Sequence, residues 1–255
     1  MDLVDTHVHL DDPAFDPDRD GVVARARAAG VARQVVPAID AATWPRLRDC
    51  CAAHPDLSAA YGLHPLLLDA HRPGHLDDLR GWIERERPVA IGECGLDYYV
   101  DGLDRDTQLH YFDAQLRLAR EFDLPVVVHA RRAVEDVIIA VRKVGGLRGV
   151  VHSYAGSLEQ ARQLEDAGFL LGFGGPATYA GANRIRKVVA GVPLEQVLLE
   201  TDAPDQPLCG HQGERNEPCR LPGVLAAIAE IRDEDPEEIA KTTTANAERL
   251  FALGQ

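Results

Sequence analysis

His7 and His9 stand one residue apart in Leu3-Val4-Asp5-Thr6-His7-Val8-His9, behind an apolar start that reads as a strand. Residues two apart on a strand point the same way, so the spacing sets two imidazoles side by side. Two neutral imidazoles suit one divalent cation. The same kind of residue recurs at the ends of further apolar runs. His64 follows one in Gly62-Leu63-His64-Pro65, and Glu93 ends one in Ile91-Gly92-Glu93-Cys94-Gly95-Leu96-Asp97. His129 follows Val126-Val127-Val128, His152 follows Val150-Val151, and Asp202 follows Val197-Leu198-Leu199. One histidine on an apolar strand is as readily a buried, backbone-bonded residue as a ligand. Repetition at strand end after strand end is the signal.

His7, His9, His129 and His152 with the carboxylates Glu93 and Asp202 are enough for two metal ions. Nitrogen and oxygen donors without sulfur suit Zn, Mn, Ni or Fe, and less clearly Mg. His7, His9 and Asp202 come from the first and last strands, which are neighbours if the sheet closes. His129 and His152 come from adjacent strands. Glu93 lies between the two groups in strand order, and its two oxygens could bridge both ions. The chain's three lysines, Lys143, Lys187 and Lys241, all fall in helical segments, so no carboxylated lysine can take that bridging place. Paired ions would share a water, lower its pKa and polarise the scissile group. Asp202, its second oxygen facing that water, is the candidate general base. His64 is within reach of the site but surplus to the ligand count.

The remaining polar residues divide between site and scaffold. Arg131 either binds a phosphate oxygen through its planar fork or pairs with Glu200. Glu200 lies one pleat below Asp202, and Asp5 one pleat below His7; both are placed to support the ligand above them. Cys94 points away from Glu93 and is expected to pack. Tyr98, Tyr99 and Tyr154 either stack on a base or pack. His54, His71, His75, His110 and His211 fall in helices or loops and are read as surface residues.

Eight short runs carry these residues: 2–7, 34–38, 58–63, 88–93, 125–129, 149–152, 169–173 and 196–202. Stretches of helical periodicity separate them. In 104–123, Leu109, Phe112, Leu116 and Ala119 recur at steps of three and four. Ser157 and Gln160 form a capping box, Gly168 closes that helix, and Asp235-Pro236 opens another. Strands alternating with helices imply a parallel sheet. A length of 255 residues favours a closed (β/α)8 TIM barrel over an open sheet, which would need a Gly-x-Gly-x-x-Gly turn after its first strand. The whole chain, 1–255, reads as a single barrel domain. The ligand candidates then all sit at carboxyl ends of strands, where barrel enzymes build their sites. The stretch 203–221 is the longest irregular one, and a loop of that length is usually functional.

Composition narrows the setting. Net charge is −14, from 41 acidic and 27 basic residues, which argues against stable binding to duplex DNA. It does not exclude one phosphate drawn to two dications. No apolar run is long enough to span a membrane, and no signal-peptide pattern opens the chain. Five cysteines without a Cys-x-x-Cys pair argue against a disulfide framework and for a cytoplasmic location.

Asp5-Thr6-His7-Val8-His9-Leu10, Gly62-Leu63-His64-Pro65, Gly92-Glu93-Cys94-Gly95-Leu96-Asp97-Tyr98, His129-Ala130-Arg131 and Glu200-Thr201-Asp202-Ala203-Pro204 together resemble the TatD family of metal-dependent hydrolases, within the amidohydrolase-like barrels. The resemblance runs from about residue 1 to 251. It implies metal-dependent phosphodiester hydrolysis, with DNase activity in some members. It implies one ion on His7, His9, Glu93 and Asp202, a second on Glu93, His129 and His152, and His64 beside the substrate phosphate. Asn216-Glu217-Pro218 also looks like a family segment. Ala130 stands where Ser or Cys is common, and Ser153-Tyr154-Ala155-Gly156 varies an aromatic-small-Gly stretch. The leading expectation is a two-metal phosphodiesterase acting on DNA ends or single strands, with Asp202, Glu93 and His64 catalytic and His64 and Arg131 on the substrate. A hydrolase of small carboxylic esters, lactones or amides is the rival, favoured by the acidic surface. A non-catalytic partner protein would have lost ligands, and none is lost.

Overall fold

The computed structural model describes residues 2–254. Eight strands form one parallel sheet in the order β1 to β8: Leu3–Asp5, Val31–Pro37, Leu57–Tyr61, Ala90–Asp97, Val126–Arg131, Gly149–Val151, Phe169–Phe173 and Val197–Leu199. Nine α-helices accompany them: α1 Arg19–Ala28, α2 Trp44–Ala53, α3 Gly74–Glu86, α4 Arg105–Phe122, α5 Val134–Val144, α6 Leu158–Asp166, α7 Asn183–Gly191, α8 Leu221–Arg232 and α9 Pro236–Phe251. The barrel closes through the segments just beyond β1 and β8. Thr6 N donates to Leu199 O at 3.0 Å, Asp202 N to His7 O at 2.9 Å and His9 N to Ala203 O at 2.8 Å. This is the (β/α)8 barrel that the alternation of runs implies.

The pleat sorts each strand into an inner and an outer row. Val4, Val35, Ala60, Ala90, Val127, Val150 and Leu198 fill the barrel interior, where Leu250, Phe251 and Leu253 at the end of α9 join them. Val126, Val128, Val151 and Leu199 face outward into the larger core under the helices. Counting up from the inner row explains the site. His129 is two residues above Val127, His152 two above Val150, His64 four above Ala60 and Asp202 four above Leu198. Glu93 is three above Ala90, the wrong parity for a regular strand. The pairing of β4 with β5 shifts between Ile91 and Cys94, and that irregularity turns Glu93 inward. Between the apolar row and the ligands, Glu200 fills space that Gly172 leaves: a Cβ on Gly172 would lie 2.0 Å from Glu200 Oε2.

Helix signals in the sequence hold. Asp104 caps α4 by accepting from Thr107 N at 2.8 Å, the Ser157–Gln160 capping box is complete, and Asp235 caps α9 by accepting from Glu237 N at 3.0 Å. Gly168 has the left-handed φ of +84° just past α6. Phe112, Leu116 and Ala119 are buried on α4, with Leu109 packed at the margin. Two glutamines on the same helix face are buried too, which an apolar-periodicity reading passes over. Gln115 bonds both backbone groups of Leu63, accepting at 2.8 Å and donating at 3.1 Å. Gln108 does the same for Asp97, at 2.7 and 2.9 Å. These amides satisfy backbone groups at the tops of β3 and β4, where the ladder ends. No helix among the described residues is long and apolar enough to cross a membrane.

Several sequence-derived boundaries move. β1 ends at Asp5 rather than residue 7, and β8 at Leu199 rather than 202, so His7, His9 and Asp202 stand on extended chain above the strands. β4 runs on to Asp97 instead of stopping at 93, because it keeps pairing with β5 as far as Asp97–Arg131. His71 is a clear correction: it is buried, and its ring Nε2 donates to His64 O at 2.9 Å.

Candidate metal centre

Two sets of donor atoms converge on Glu93 at the carboxyl mouth of the barrel. In the first, His7 Nε2 lies 3.2 Å from His9 Nε2, 3.2 Å from Glu93 Oε2 and 3.5 Å from Asp202 Oδ1. His9 Nε2 lies 3.6 Å from both Glu93 Oε2 and Asp202 Oδ1. Four-coordinate sites with bonds of about 2.0–2.2 Å hold their ligand atoms roughly 3.3–3.6 Å apart. The donors already stand at that spacing. In the second set, Glu93 Oε1 lies 3.1 Å from His129 Nδ1 and 2.9 Å from His152 Nε2, which are 3.4 Å from each other. The rings of His7 and His152 stack at 3.8 Å between centroids, so the sets are adjacent. The chemistry of the donors fits divalent cations: imidazole nitrogens facing one another at hydrogen-bond distance, with both carboxylates between them.

His64 Nε2 is also 3.0 Å from Glu93 Oε1, so distance alone would admit it as a ligand. Its tautomer argues otherwise. His64 Nδ1 accepts the Leu66 N–H at 3.1 Å, which leaves the ring proton of a neutral imidazole on Nε2. A protonated nitrogen donates and does not ligate. His9 and His129 have the opposite arrangement. His9 Nδ1–H faces Pro37 O at 3.2 Å, and His129 Nε2–H faces Asp97 Oδ2 at 2.8 Å, each freeing the other nitrogen for the cluster.

Electrostatics favour ionised carboxylates. Burial works to raise Glu93, but the surrounding histidines His64, His152 and His7 outweigh it and hold the group well below the usual range. Burial opposes ionisation of Asp202 too, yet His9 and His7 bring it down to about 2. Asp5 has no such neighbours at its carboxyl, and burial pushes it up to about 7. Its oxygens accept from Thr201 N at 3.0 Å, Thr201 Oγ1 at 2.6 Å and His7 N at 3.3 Å, which ties the β1 and β8 extensions together. Asn216 completes that lock from the long loop. Wholly buried, its amide donates to Thr201 O and Asp205 O, both at 2.9 Å.

Some residues are legible only here. Asp97 orients His129, and Tyr99 N and Val100 N bind its other oxygen at 2.9 and 3.1 Å. Its position four beyond Glu93 on one strand is the signal that could have found it. Gln206 Nε2 donates to Asp202 Oδ2, the oxygen expected to face water, and Ser153 Oγ donates to Gln206 Oε1 at 2.9 Å. Asp202, Ser153 and Gln206 all have left-handed φ, 56°, 45° and 50°. For non-glycine residues that is strained backbone, of order 1–3 kcal/mol each, held by the surrounding bonds.

The lesser candidates sort clearly. Arg131 does not pair with Glu200. Its guanidinium stacks on the Tyr99 ring at 3.7 Å and lines the cavity. Glu200 Oε1 instead accepts from Ser153 N at 2.5 Å, and His152 Nδ1 lies 3.8 Å from it. Cys94 is buried in the outer core, as expected. Tyr154 is buried with its hydroxyl on Ser157 O at 2.7 Å, and Tyr98 bonds Asp136 at 2.8 Å, so both are structural. The site opens into a cavity of about 1200 Å³.

An eight-stranded barrel with histidine and carboxylate donors gathered at its carboxyl mouth has the architecture of a barrel metal-dependent hydrolase. Comparison with known proteins gives the family. The model of the TatD related DNase family matches residues 4–252. The Escherichia coli K12 protein named uncharacterized metal-dependent hydrolase YjjV is 40% identical over 252 residues, covering 98% of this chain and 97% of that one. Its crystal structure superposes with a TM-score of 0.94 at 38% identity, covering 98% of both chains. The Erwinia tasmaniensis protein named 3'-5' ssDNA/RNA exonuclease TatD is 33% identical over 263 residues, covering 98% of this chain and 100% of that one. The chain belongs to the TatD family of metal-dependent hydrolases.

Proposed function

We propose that the chain is a two-metal phosphodiesterase acting on nucleic-acid ends or single strands. One observation carries the reading: Glu93 presents Oε2 to His7 and His9 and Oε1 to His129 and His152, two donor sets on the two oxygens of one carboxylate. His7, His9, Glu93 and Asp202 would hold one ion, and Glu93, His129 and His152 the other. Bound there, divalent ions supply Lewis acidity and a lowered water pKa. Zn, Mn, Ni and Fe suit these donors better than Mg.

The chain's own residues do the rest. Asp202 takes the proton of the attacking water and later returns it to the leaving oxygen. The Gln206 amide fixes the carboxylate plane while this happens. His64, with its proton on Nε2, is the donor nearest the shared carboxylate and turns to a non-bridging phosphate oxygen when substrate enters. Arg131, exposed on the cavity wall, binds a second such oxygen. Its lack of a carboxylate partner supports phosphate over a small neutral ester. The name of the Erwinia relative agrees with this reading.

The test is a parallel assay of metal-reconstituted protein on end-labelled single-stranded DNA, a chromogenic phosphodiester and a carboxylic ester. Metal-dependent cleavage of the first two, at least about 10²-fold above the chelated protein, is the expected result. Turnover of the ester alone would replace this reading with that of a small-ester hydrolase.

A further inference from the structure

Eight residues other than glycine have left-handed φ among the described residues. Arg87, Asp123, Asp233 and Ala252 close helices α3, α4, α8 and α9, where one such residue is an ordinary way to end a helix. Arg132, Ser153, Asp202 and Gln206 have no helix to close and stand in the loops after β5, β6 and β8. Ser153, Gln206 and Asp202 are also joined in a chain by side-chain hydrogen bonds. Ser153 Oγ donates to Gln206 Oε1 at 2.9 Å, and Gln206 Nε2 donates to Asp202 Oδ2. Strained backbone persists where its surroundings over-determine it, and it gathers at sites that need fixed placement.

The direction of the chain follows from its far end. A metal-binding carboxylate only accepts hydrogen bonds, so Gln206 turns its amide nitrogen to Asp202. The amide oxygen is left for Ser153, whose hydroxyl must then donate. Each link is also fixed from outside. Ser153 N donates to Glu200 Oε1 at 2.5 Å, and Ser153 follows His152, a donor of the second set. Asn216 Nδ2 reaches Gln206 O at 3.3 Å, and Gly175 makes room for the same carbonyl: a Cβ there would lie 2.0 Å from it. Asp202 N donates to His7 O at 2.9 Å. Of the two Asp202 oxygens, Oδ1 faces His7 and His9 at 3.5 and 3.6 Å, and Oδ2 faces Gln206.

We infer that Ser153 is a positioning residue for the metal centre: through Gln206 it holds Oδ2 of Asp202 away from the His7–His9 ion, so that the carboxylate binds that ion with Oδ1 alone. The hydroxyl acts at one remove, because among the described residues its bond is to Gln206. Without the hydroxyl the Gln206 amide is free to rotate. Without the amide Asp202 is free to turn its second oxygen to the ion. The inference rests on the ion assignment of the two-metal reading, and not on the substrate.

Cobalt(II) binding is the measure, because the visible absorption of this ion weakens as its coordination number rises. The binding step that Asp202→Ala loses marks the ion on His7 and His9. Gln206→Leu keeps the bulk but removes the amide, and should weaken that step by about 10–100-fold. Ser153→Ala should weaken it by about 5-fold, the worth of one neutral hydrogen bond. In both variants the absorption of the bound ion should fall. Added to Gln206→Leu, Ser153→Ala should cost nothing more, since the hydroxyl acts through the amide. Ser153→Gly separates the hydroxyl from the backbone. Glycine takes a left-handed φ without strain, so this variant should melt above Ser153→Ala yet lose the same affinity. Wild-type affinity and absorption in Ser153→Ala, additive losses in the double variant, or recovered affinity in Ser153→Gly would each overturn the inference. An Asp202→Ala variant that keeps both binding steps would remove the ligand assignment and the inference with it. A wild type that binds both ions in this way but cleaves no phosphodiester would overturn the function proposed above and leave the inference standing.

Discussion

The two halves of the metal cluster are held by different means. His129 and His152 stand at or just above the ends of paired strands, and Asp97, two strands from β6 and next to β5, fixes His129 directly. Their support is local in the sheet. His7, His9 and Asp202 stand beyond the ends of β1 and β8, on extended chain joined across the barrel closure by backbone bonds from Asp202 N to His7 O and from His9 N to Ala203 O. Side-chain bonds add to that support: Asp5 to Thr201 across most of the sequence, and Asn216 to Thr201 and Gln206 to Asp202 from the long loop after β8. Ladder hydrogen bonds fix a donor cheaply but only where the strand points. A donor on the barrel closure is held by backbone bonds and by side-chain bonds together.

Glu93 belongs to both halves, so its loss tests whether they are one centre. Glu93→Gln should weaken metal binding at both sets together, by at least roughly 10–100-fold, read by metal analysis of the purified variant. Retention of one ion at wild-type occupancy would separate the halves and remove the bridge. Asp202→Asn keeps one coordinating oxygen and removes the basicity. Turnover should fall by roughly 10²–10⁴ with saturating metal, while the ion on His129 and His152 stays. Recovery to within a few-fold of wild type on adding metal would make Asp202 a ligand and no more.

Two further substitutions ask whether each half has its own support. Asp97→Asn takes the orienting carboxylate from His129, and should cost about 10–100-fold in affinity at the β5–β6 half alone. Equal loss at His7 and His9 would show that the halves share their support. Asn216→Ala leaves the buried Thr201 carbonyl without its donor, at about 1–3 kcal/mol in stability. Thermal unfolding and metal content, measured together, should show loss at the β8–β1 half first. The smallest effect is expected at His64. His64→Ala should leave both ions bound and raise KM for phosphate substrates about 10-fold, the worth of one hydrogen bond to a charged group. Loss of metal would make it a ligand despite its tautomer.

The chain by itself determined the barrel and the identity of the donors. Apolar runs set the strands, their alternation with helical periods set the parallel sheet, and a histidine or carboxylate at the end of six of the eight runs marks itself by type. The period of two also carries His129 above Val127 and His152 above Val150, so those orientations are legible in one dimension. It fails at Glu93, whose inward direction depends on an irregularity in the pairing of β4 with β5. What no local pattern could reveal is which polar residues turn inward from helices and loops. Gln108 and Gln115 look like surface residues of an amphipathic helix until the unpaired backbone of Leu63 and Asp97 is placed beside them. His71 reads as exposed until the His64 carbonyl reaches it. Only the folded chain also decided between ligand and proton donor for His64, because the choice rests on which ring nitrogen meets the Leu66 amide. Residue type and periodicity are properties of neighbours in sequence. The His64 tautomer depends on a local turn that brings the Leu66 amide to its ring, and the shared Glu93 oxygens are set by distances between residues far apart in sequence, which packing fixes.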